Sequence, residues 1–295
     1  MMTLYFDIET EPLPEAELRE ICPPFDAEAV KLGNLTDPVK IRAKIEEAER
    51  SHWEDFVGGA ALSPLTGRVA AIGILQSVDG KLPIESEIID CAGSSSSSSS
   101  SSLVLDSRQD ELHESREAAR TRDEDEDERK EERRAEAQGL IRFWGLVEAA
   151  AELVGFNTHG FDLPFLIKRS WVLKVPVPRK LRLAKDRWWP DWNLDLYKLW
   201  QLGDARGGGK LDTIARALGL AGKTGNHGAE FGRLWRSADP AERTAAAEYL
   251  HQDVRLCQAL RERLAFAFVL AAPADPADDE LPMGCAANIT NLEQP

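Results

Sequence analysis

The chain is poor in cysteine, and its few cysteines form no recognisable pattern. Cys22, Cys91, Cys257 and Cys285 are scattered along 295 residues, without a CxxC pair or a cluster of histidine and cysteine. Such spacing gives no indication of a zinc site and fits a protein that resides in a reducing compartment.

Apolar runs of membrane-spanning length are also missing. No stretch approaches the ~20 consecutive apolar residues that a spanning helix needs, and the N-terminus lacks the basic segment of a signal peptide. We therefore expect a soluble, cytoplasmic protein without a membrane partner.

Basic residues are outnumbered by acidic ones, 36 to 51, and the resulting formal net charge of −15 by itself argues against a polyanionic partner. The deficit is unevenly distributed along the chain. Ser94–Ser102 is an unbroken serine run, and Asp106–Glu136 holds 14 acidic and 8 basic residues. Because such a composition cannot bury a core, we predict an insertion at residues 94–136 that is disordered, or a solvated charged helix towards its end.

The segment Lys168–Trp192 has the opposite composition. Eight basic residues stand there against two acidic ones, and tryptophans are interspersed among them. One hypothesis is a platform for single-stranded nucleic acid, with basic side chains attracting phosphates and indoles stacking on bases. The alternative is a solvated basic loop that its tryptophans anchor to the core. The candidate nucleic-acid contacts are Lys180, Arg182, Lys185, Trp188 and Trp189.

Near the N-terminus, the stretch LYFDIET has the period-two pattern of a strand. Leu4, Phe6 and Ile8 alternate with other residues, so Asp7 and Glu9 share one face. Two carboxylates side by side on a buried strand repel each other and lose hydration, and a divalent cation would offset this. The alternative is the solvent-facing side of an edge strand.

The following segments predict more strands. Val69–Leu75 is an apolar run typical of a buried strand, Asp79-Gly80 is a hairpin turn signal, and Ile84–Ile89 returns as a third strand. Val39–Phe56 is expected to be helical, within an insertion at residues 11–64. Three antiparallel strands therefore open the domain.

Two later segments place further acidic residues where chemistry is plausible. Asp162 stands at a strand-to-helix junction, after Asn157 and Phe161, where irregular backbone often presents functional groups. Tyr249 and Asp253 are four residues apart in a long helix and share one of its faces. Each signal is weak alone, but together with the first strand they form an ordered set.

In this order the motifs resemble the DEDD 3′-5′ exonucleases of the ribonuclease H-like superfamily, most closely the exonuclease domain of family-B DNA polymerases and its free-standing bacterial relatives. The tyrosine four residues before the last aspartate is similar to that of the family's tyrosine branch. The resemblance spans about residues 2–265, apart from the two insertions. It implies an α/β fold with a mixed sheet, in which three antiparallel strands are followed by parallel ones and helices flank the sheet.

The resemblance also implies phosphodiester hydrolysis with two divalent metal ions, Mg²⁺ or Mn²⁺. Asp7, Glu9 and Asp253 are expected to hold the ion that activates water, with Asp7 bridging to a second ion that Asp162 supports. Tyr249 is expected to orient the water. The expected contacts with the 3′-terminal nucleotide are Phe6, the backbone at Ile8 and Glu9, Thr10, Asn157 and Phe161.

We therefore expect one exonuclease domain at residues 1–268, with the two insertions, and a tail at residues 269–295. The favoured activity is 3′-5′ hydrolysis of single-stranded DNA. The alternatives are an exoribonuclease of the same architecture and a catalytically silent nucleic-acid-binding scaffold. All four carboxylates and the tyrosine are present, which favours an enzyme over a silent scaffold. The sequence indicates no particular protein partner.

Overall fold

The computed structural model of the protein describes residues 1–78, 86–93, 110–181, 189–204, 206–223 and 228–265, and of residues 110–125 and 229 it describes the backbone alone. The strands are β1 (Met2–Pro12), β2 (Gly67–Val78), β3 (Ser86–Asp90), β4 (Glu152–Gly155) and β5 (Asn193–Asp195). They form one sheet in the order β3-β2-β1-β4-β5. The pairs β1–β2 and β2–β3 are antiparallel, and the pairs β1–β4 and β4–β5 are parallel. The predicted α/β class with a ribonuclease H-like mixed sheet is confirmed.

Helices flank the sheet. The α-helices are α1 (Glu15–Ile21), α2 (Pro38–Ala60), α3 (Asp110–Ala149), α4 (Asp162–Val172), α5 (Leu196–Gln201), α6 (Leu211–Ala217), α7 (Phe231–Trp235) and α8 (Pro240–Ala265). Short 3₁₀ turns occur at Ala27–Ala29, Arg179–Leu181 and Gly228–Glu230.

The central strand β1 is covered on both faces. Leu4, Phe6 and Ile8 pack in one cluster with side chains of α3 and α4. Tyr5 lies on the opposite face, in a cluster with side chains of α6 and α8. Because side chains alternate along a strand, the odd-numbered residues of β1, Asp7 among them, face the α8 side.

The burial of Glu136, the last residue of the predicted insertion, shows that the expectation of a solvated segment is wrong at this position. Its side chain is 1% exposed. It accepts hydrogen bonds from Arg169 Nε at 2.9 Å and Nη2 at 2.6 Å, and another from the Val69 N–H at 2.9 Å. The charge pattern of the sequence does not predict this buried ion pair, because the partners of Glu136 lie far away in the sequence. Residues 94–109, including the serine run, lie outside the described part of the chain.

Glu132 makes a second set of such contacts one turn earlier in α3. It accepts hydrogen bonds from Arg68 Nη1 at 2.5 Å and from Arg236 Nη1 at 2.9 Å. Both arginines also pair with Glu11 of β1, which is 6% exposed. This network ties α3 to the ends of β1 and β2, so the part of α3 that carries Glu132 and Glu136 is anchored to the folded core.

The first predicted insertion is close to expectation. β1 continues to Pro12, which still pairs with Gly67 of β2, so the insertion begins slightly later than residue 11. The helix predicted at Val39–Phe56 is confirmed within α2, and Asp37 caps it by accepting the Val39 N–H at 2.9 Å. The domain limits remain a prediction, since the tail lies outside the described residues.

Two other expectations concerned membrane-spanning helices and the hairpin turn between β2 and β3. Among the described residues, no helix combines the length and apolar character needed to cross a membrane. The predicted hairpin turn at Asp79-Gly80 lies outside the described residues, although the strands on either side of it pair as expected.

Candidate active site

Asp7 and Glu9 lie in β1 on the sheet face that α8 covers. Strand alternation directs their side chains away from the core residues Phe6 and Ile8. A register irregularity follows directly after Glu9, and such bulges are common next to active sites. The predicted pair of carboxylates on one face is therefore present.

The helix α8 comes close to this face because Gly73 of β2 has no side chain. Gly73 pairs with Asp7 across the two strands. A Cβ atom at Gly73 would lie 2.7 Å from Leu250 Cγ and 3.1 Å from Val254 Cγ1. The two apolar side chains occupy this space instead, and Asp253 reaches the sheet as a result.

The four predicted carboxylates converge on one region. Asp7, Glu9 and Asp253 each offer one oxygen, and these atoms lie within 4.8 Å of one another. Asp162 is the first residue of α4, is 4% exposed, and accepts a hydrogen bond from the Ile8 N–H. Its charge acts on both Asp7 and Glu9, so it adjoins the group of three.

Burial and crowding raise the pKa values of these carboxyl groups. Burial, followed by the charge of Asp253, holds the pKa of Asp7 well above its usual range. The same causes raise the pKa of Glu9 to about 8, and burial raises that of Asp162 to about 7. Such shifts mean that the ionised cluster is unfavourable by itself and that a divalent cation bound among the carboxylates would stabilise it. Carboxylate oxygens are ligands that suit Mg²⁺ and Mn²⁺, so the residues present fit a divalent metal.

Tyr249 lies one turn before Asp253 on α8. Burial, followed by the charge of Asp253, raises the pKa of its phenol to about 12. A phenol with this pKa keeps its proton at neutral pH. Tyr249 is therefore suited to donate a hydrogen bond in this site, and it is unsuited to act as a base.

Lys223 is a residue of the site that the sequence analysis missed. It follows α6, and its ammonium group forms an ion pair with Asp253 Oδ1. The ammonium also donates a hydrogen bond to the Tyr249 hydroxyl at 3.4 Å and lies 4.9 Å from the centre of that ring. No local pattern marks Lys223, because its partners lie 26 or more positions further along the chain.

Asp195 is a second missed residue, and it holds the loop between β4 and α4. Its buried carboxylate accepts hydrogen bonds from the N–H groups of Asn157 at 2.8 Å and His159 at 3.0 Å. It also caps α5 by accepting the Tyr197 N–H at 2.9 Å. Asn157 has a φ of 61°, in the left-handed region that asparagine adopts more readily than most residues with a side chain, and its N–H bond to Asp195 helps to hold it there. The position of Asp195 directly before a helix is a capping signal that the sequence does contain.

The residues expected to contact the 3′-terminal nucleotide differ in their exposure. Phe6 is fully buried, with its ring centre 5.2 Å from that of Phe143, so its side chain belongs to the core and cannot touch a substrate. The side chain of Ile8 packs in the same core, and its backbone N–H donates to Asp162. The expected nucleotide contact with the backbone at Ile8 and Glu9 stays a prediction. The expected contacts that keep partial exposure are Thr10, Asn157 and Phe161.

The contacts of Lys180 differ from those predicted for the basic platform. Its ammonium donates hydrogen bonds to the carbonyl oxygens of Glu148 at 2.9 Å and Ala150 at 2.7 Å, at the end of α3. The same group lies 4.5 Å from the centre of the Trp192 ring. Lysines commonly satisfy helix C-termini in this way. We therefore assign Lys180 to helix capping instead of phosphate binding.

Trp189 stays a candidate for stacking, although part of its surface is covered. It packs against the core cluster, and its ring is stacked with that of His159 at a centroid distance of 5.2 Å and an interplanar angle of 16°. The pair borders the loop that leads to Asp162. The other residues predicted for this platform, all outside the described part of the chain, are Arg182, Lys185 and Trp188.

The mixed sheet and the carboxylate cluster on it define an α/β protein with a ribonuclease H-like arrangement. Residues 114–256 match the model of a family described as predicted 3′-5′ exonucleases related to the exonuclease domain of PolB. The resemblance to DEDD exonucleases is thereby confirmed. A comparison with curated proteins finds no match.

The matched segment is just under half of the chain, and it contains only part of the site. Asp162, Tyr249 and Asp253 lie inside it, whereas Asp7 and Glu9 precede it. The structure brings both groups together through the close approach of α8 to β1 and β2. The family match thus covers the second motif, at Asp162, and the third, at Tyr249 and Asp253. The structure places the first motif, Asp7 and Glu9, beside them.

Proposed function

We propose that the protein is a metal-dependent 3′-5′ exonuclease that hydrolyses single-stranded DNA from its 3′ end. The observation that carries this proposal is the convergence of Asp7, Glu9 and Asp253, with oxygens within 4.8 Å of one another. The family match supports the reaction class, since its members are described as predicted 3′-5′ exonucleases.

Asp7, Glu9 and Asp253 would hold a divalent metal ion, and Asp162 would support a second ion beside Asp7. When bound, such ions supply a nucleophilic hydroxide at neutral pH and stabilise charge on the leaving oxygen. Tyr249 keeps its proton and orients the attacking water by a hydrogen bond. The loop at Asn157 would receive the 3′-terminal nucleotide next to the carboxylates.

DNA is favoured over RNA because the family is described as related to the exonuclease domain of PolB. Single strands are favoured because Trp189, beside the loop that leads to Asp162, offers an indole on which an unpaired base can stack. The second candidate is an exoribonuclease, which the same carboxylate chemistry would serve equally well.

Degradation of 5′-labelled single-stranded DNA and RNA of the same sequence tests the proposal, in Mg²⁺, in Mn²⁺ and in chelator. We expect DNA to shorten stepwise from its 3′ end in the presence of metal and to stay intact in chelator. Asp7→Ala should abolish cleavage. Asp191→Ala, which removes an exposed carboxylate, is the matched control and should cleave like wild type.

The outcomes separate the candidates. Faster degradation of RNA than of DNA would support the exoribonuclease. Binding of either strand without cleavage in both metals would indicate a silent scaffold. Cleavage by Asp7→Ala at the wild-type rate would exclude the carboxylate cluster as the catalytic centre.

A further inference from the structure

Lys223 places a positive charge within the carboxylate cluster. Its ammonium is in ionic contact with Asp253 Oδ1, and it lies 3.4 Å from the Tyr249 hydroxyl. The charges of Asp7 and Glu9 also interact with it. This side chain thus contacts one of the three carboxylates that would hold a metal ion, and it lies within reach of the charges of the other two.

The position of Lys223 is built into the fold. Its N–H donates to Asp212 Oδ1 at 2.6 Å, and its carbonyl oxygen accepts a hydrogen bond from Arg216 Nη2 at 2.9 Å. Asp212 and Arg216 pair with each other across one turn of α6, at 2.9 Å. A Cβ atom at Gly222 would lie 2.3 Å from the Arg216 guanidinium, so a side chain there would displace the group that donates to the Lys223 carbonyl oxygen. The turn therefore holds both backbone groups of Lys223 and directs its side chain to the site.

The electrostatics agree with this geometry. Burial alone would lower the pKa of Lys223, but the charge of Asp253 raises it above its ordinary value. In the opposite direction, the ammonium lowers the pKa values of Asp7 and Glu9, against the larger effect of burial. The lysine is charged and offsets part of the repulsion among the carboxylates.

We propose that Lys223 is an internal counter-cation of the carboxylate site, and that its ammonium competes with the divalent metal for Asp253. Two cations at one carboxylate oxygen repel each other strongly at short distance. The ammonium must therefore leave Asp253 before that oxygen can bind metal, and Lys223 sets the metal concentration at which the site fills. This inference rests on the proposed metal-dependent function.

Calorimetric titration of the metal-free protein with Mn²⁺, without nucleic acid, tests the inference. We expect Lys223→Met to bind Mn²⁺ more tightly than wild type, by about tenfold or more, because the competing charge is gone. Lys223→Arg keeps a cation and should stay near wild type. Lys210→Met, which removes an exposed lysine just before α6, is the control and should have no effect.

Thermal unfolding in chelator gives a second readout that does not depend on activity. Lys223→Met should melt below wild type in chelator, because its carboxylates have lost their counter-ion. Mn²⁺ should abolish this difference in melting temperature. If Lys223→Met is unfolded in chelator, recovery of the fold on addition of Mn²⁺ supports the inference, and a failure to recover overturns it.

Asp253→Asn separates this inference from the proposed function. If Asp253→Asn weakens Mn²⁺ binding, but wild type and Lys223→Met bind Mn²⁺ with equal affinity, the metal site is supported and the proposed role of Lys223 is wrong. The absence of Mn²⁺ binding in wild type and in Lys223→Met would overturn the metal site, and the inference with it.

Discussion

Glu136 and Arg169 form a bidentate ion pair in which both side chains are almost fully buried, at 1% and 2% exposure. The pair joins α3 to α4. Glu136 also accepts the Val69 N–H at 2.9 Å, and Arg169 donates to the Pro64 carbonyl oxygen at 3.1 Å. Removing one partner would leave the other charge buried without compensation.

We expect Glu136→Ala to lower the free energy of unfolding by about 3–5 kcal/mol, the cost of breaking a buried pair. Glu131→Ala removes an exposed carboxylate of the same helix and should change it by less than about 0.5 kcal/mol. Urea denaturation of the two variants and wild type measures both values. A Glu136→Ala protein as stable as wild type would contradict a structural role for the pair.

The same contacts decide how much of the low-complexity insertion can be removed. A deletion of residues 94–136 takes away Glu132 and Glu136 together with their ion pairs, and we expect it to unfold or aggregate. A deletion of residues 94–109 keeps both glutamates and should fold. Comparing the soluble yields and melting temperatures of the two deletions checks this, and equal stability would show that residues 110–136, the N-terminal part of α3, are dispensable.

The site was predictable from sequence where local periodicity carries the information. Strand alternation in LYFDIET set the faces of Asp7 and Glu9, and helical spacing put Tyr249 near Asp253. Lys223 was not predictable, because it depends on a turn held from α6 and on contacts that only the assembled fold creates.

Two charged residues, Glu136 and Lys180, also could not be placed from the sequence. Glu136 belongs to a segment whose composition is typical of solvated chain, and its burial depends on Arg169, 33 positions away. Lys180 belongs to a basic stretch, yet its ammonium satisfies carbonyl groups at the end of α3. Composition gives the average behaviour of a segment, whereas the partner of a single charge is decided by tertiary packing.

Gly73 provides a test of how closely α8 must approach the sheet. Gly73→Ala places a methyl group 2.7 Å from Leu250 Cγ, so α8 has to shift. We expect a loss of about 1–3 kcal/mol in stability from overpacking. Since Asp253 moves with α8, we also expect a fall of about tenfold or more in kcat/KM.

The matched control for this substitution is Gly59→Ala in α2. A Cβ atom at Gly59 meets no atom within 4 Å, and alanine is favoured over glycine in a helix. This variant should be as stable as wild type or more so, with unchanged kcat/KM. Full activity in Gly73→Ala would show that the position of α8 is not critical.

Asp195 allows a test of the loop that precedes Asp162. Asp195→Asn keeps the shape of the side chain, but its amide group would face a backbone N–H, because Oδ1 and Oδ2 both accept hydrogen bonds. We expect a loss of about 1–3 kcal/mol, as for an unsatisfied buried donor. Nuclease activity should fall as well, because the loop carries Asn157 next to the carboxylates.

Denaturation and nuclease assays on Asp195→Asn check both effects. Asp191→Asn changes an exposed carboxylate nearby and serves as the control. Loss of stability in Asp195→Asn with wild-type kcat/KM would mean that the loop does not position any group that takes part in the reaction.

The raised pKa values make stability depend on pH in a defined direction. The pKa of Glu9 is about 8 in the folded protein, against an ordinary value of 4.5. Between these values the folded state holds a proton that the unfolded state releases. The free energy of unfolding therefore falls as the pH rises through this window. Asp162, with a pKa raised from 3.8 to about 7, acts in the same direction.

We expect the metal-free protein to lose stability from about pH 5 to about pH 8, by at most about 1.4 kcal/mol per pH unit for the proton on Glu9. Glu9→Gln removes this ionisation, so its stability should fall less steeply over the same range. Urea denaturation in chelator at several pH values measures both slopes, and their difference isolates the contribution of Glu9 from that of every other ionisable group. Parallel curves for the two proteins would show that Glu9 ionises normally, and that its carboxylate is not crowded by Asp7 and Asp253.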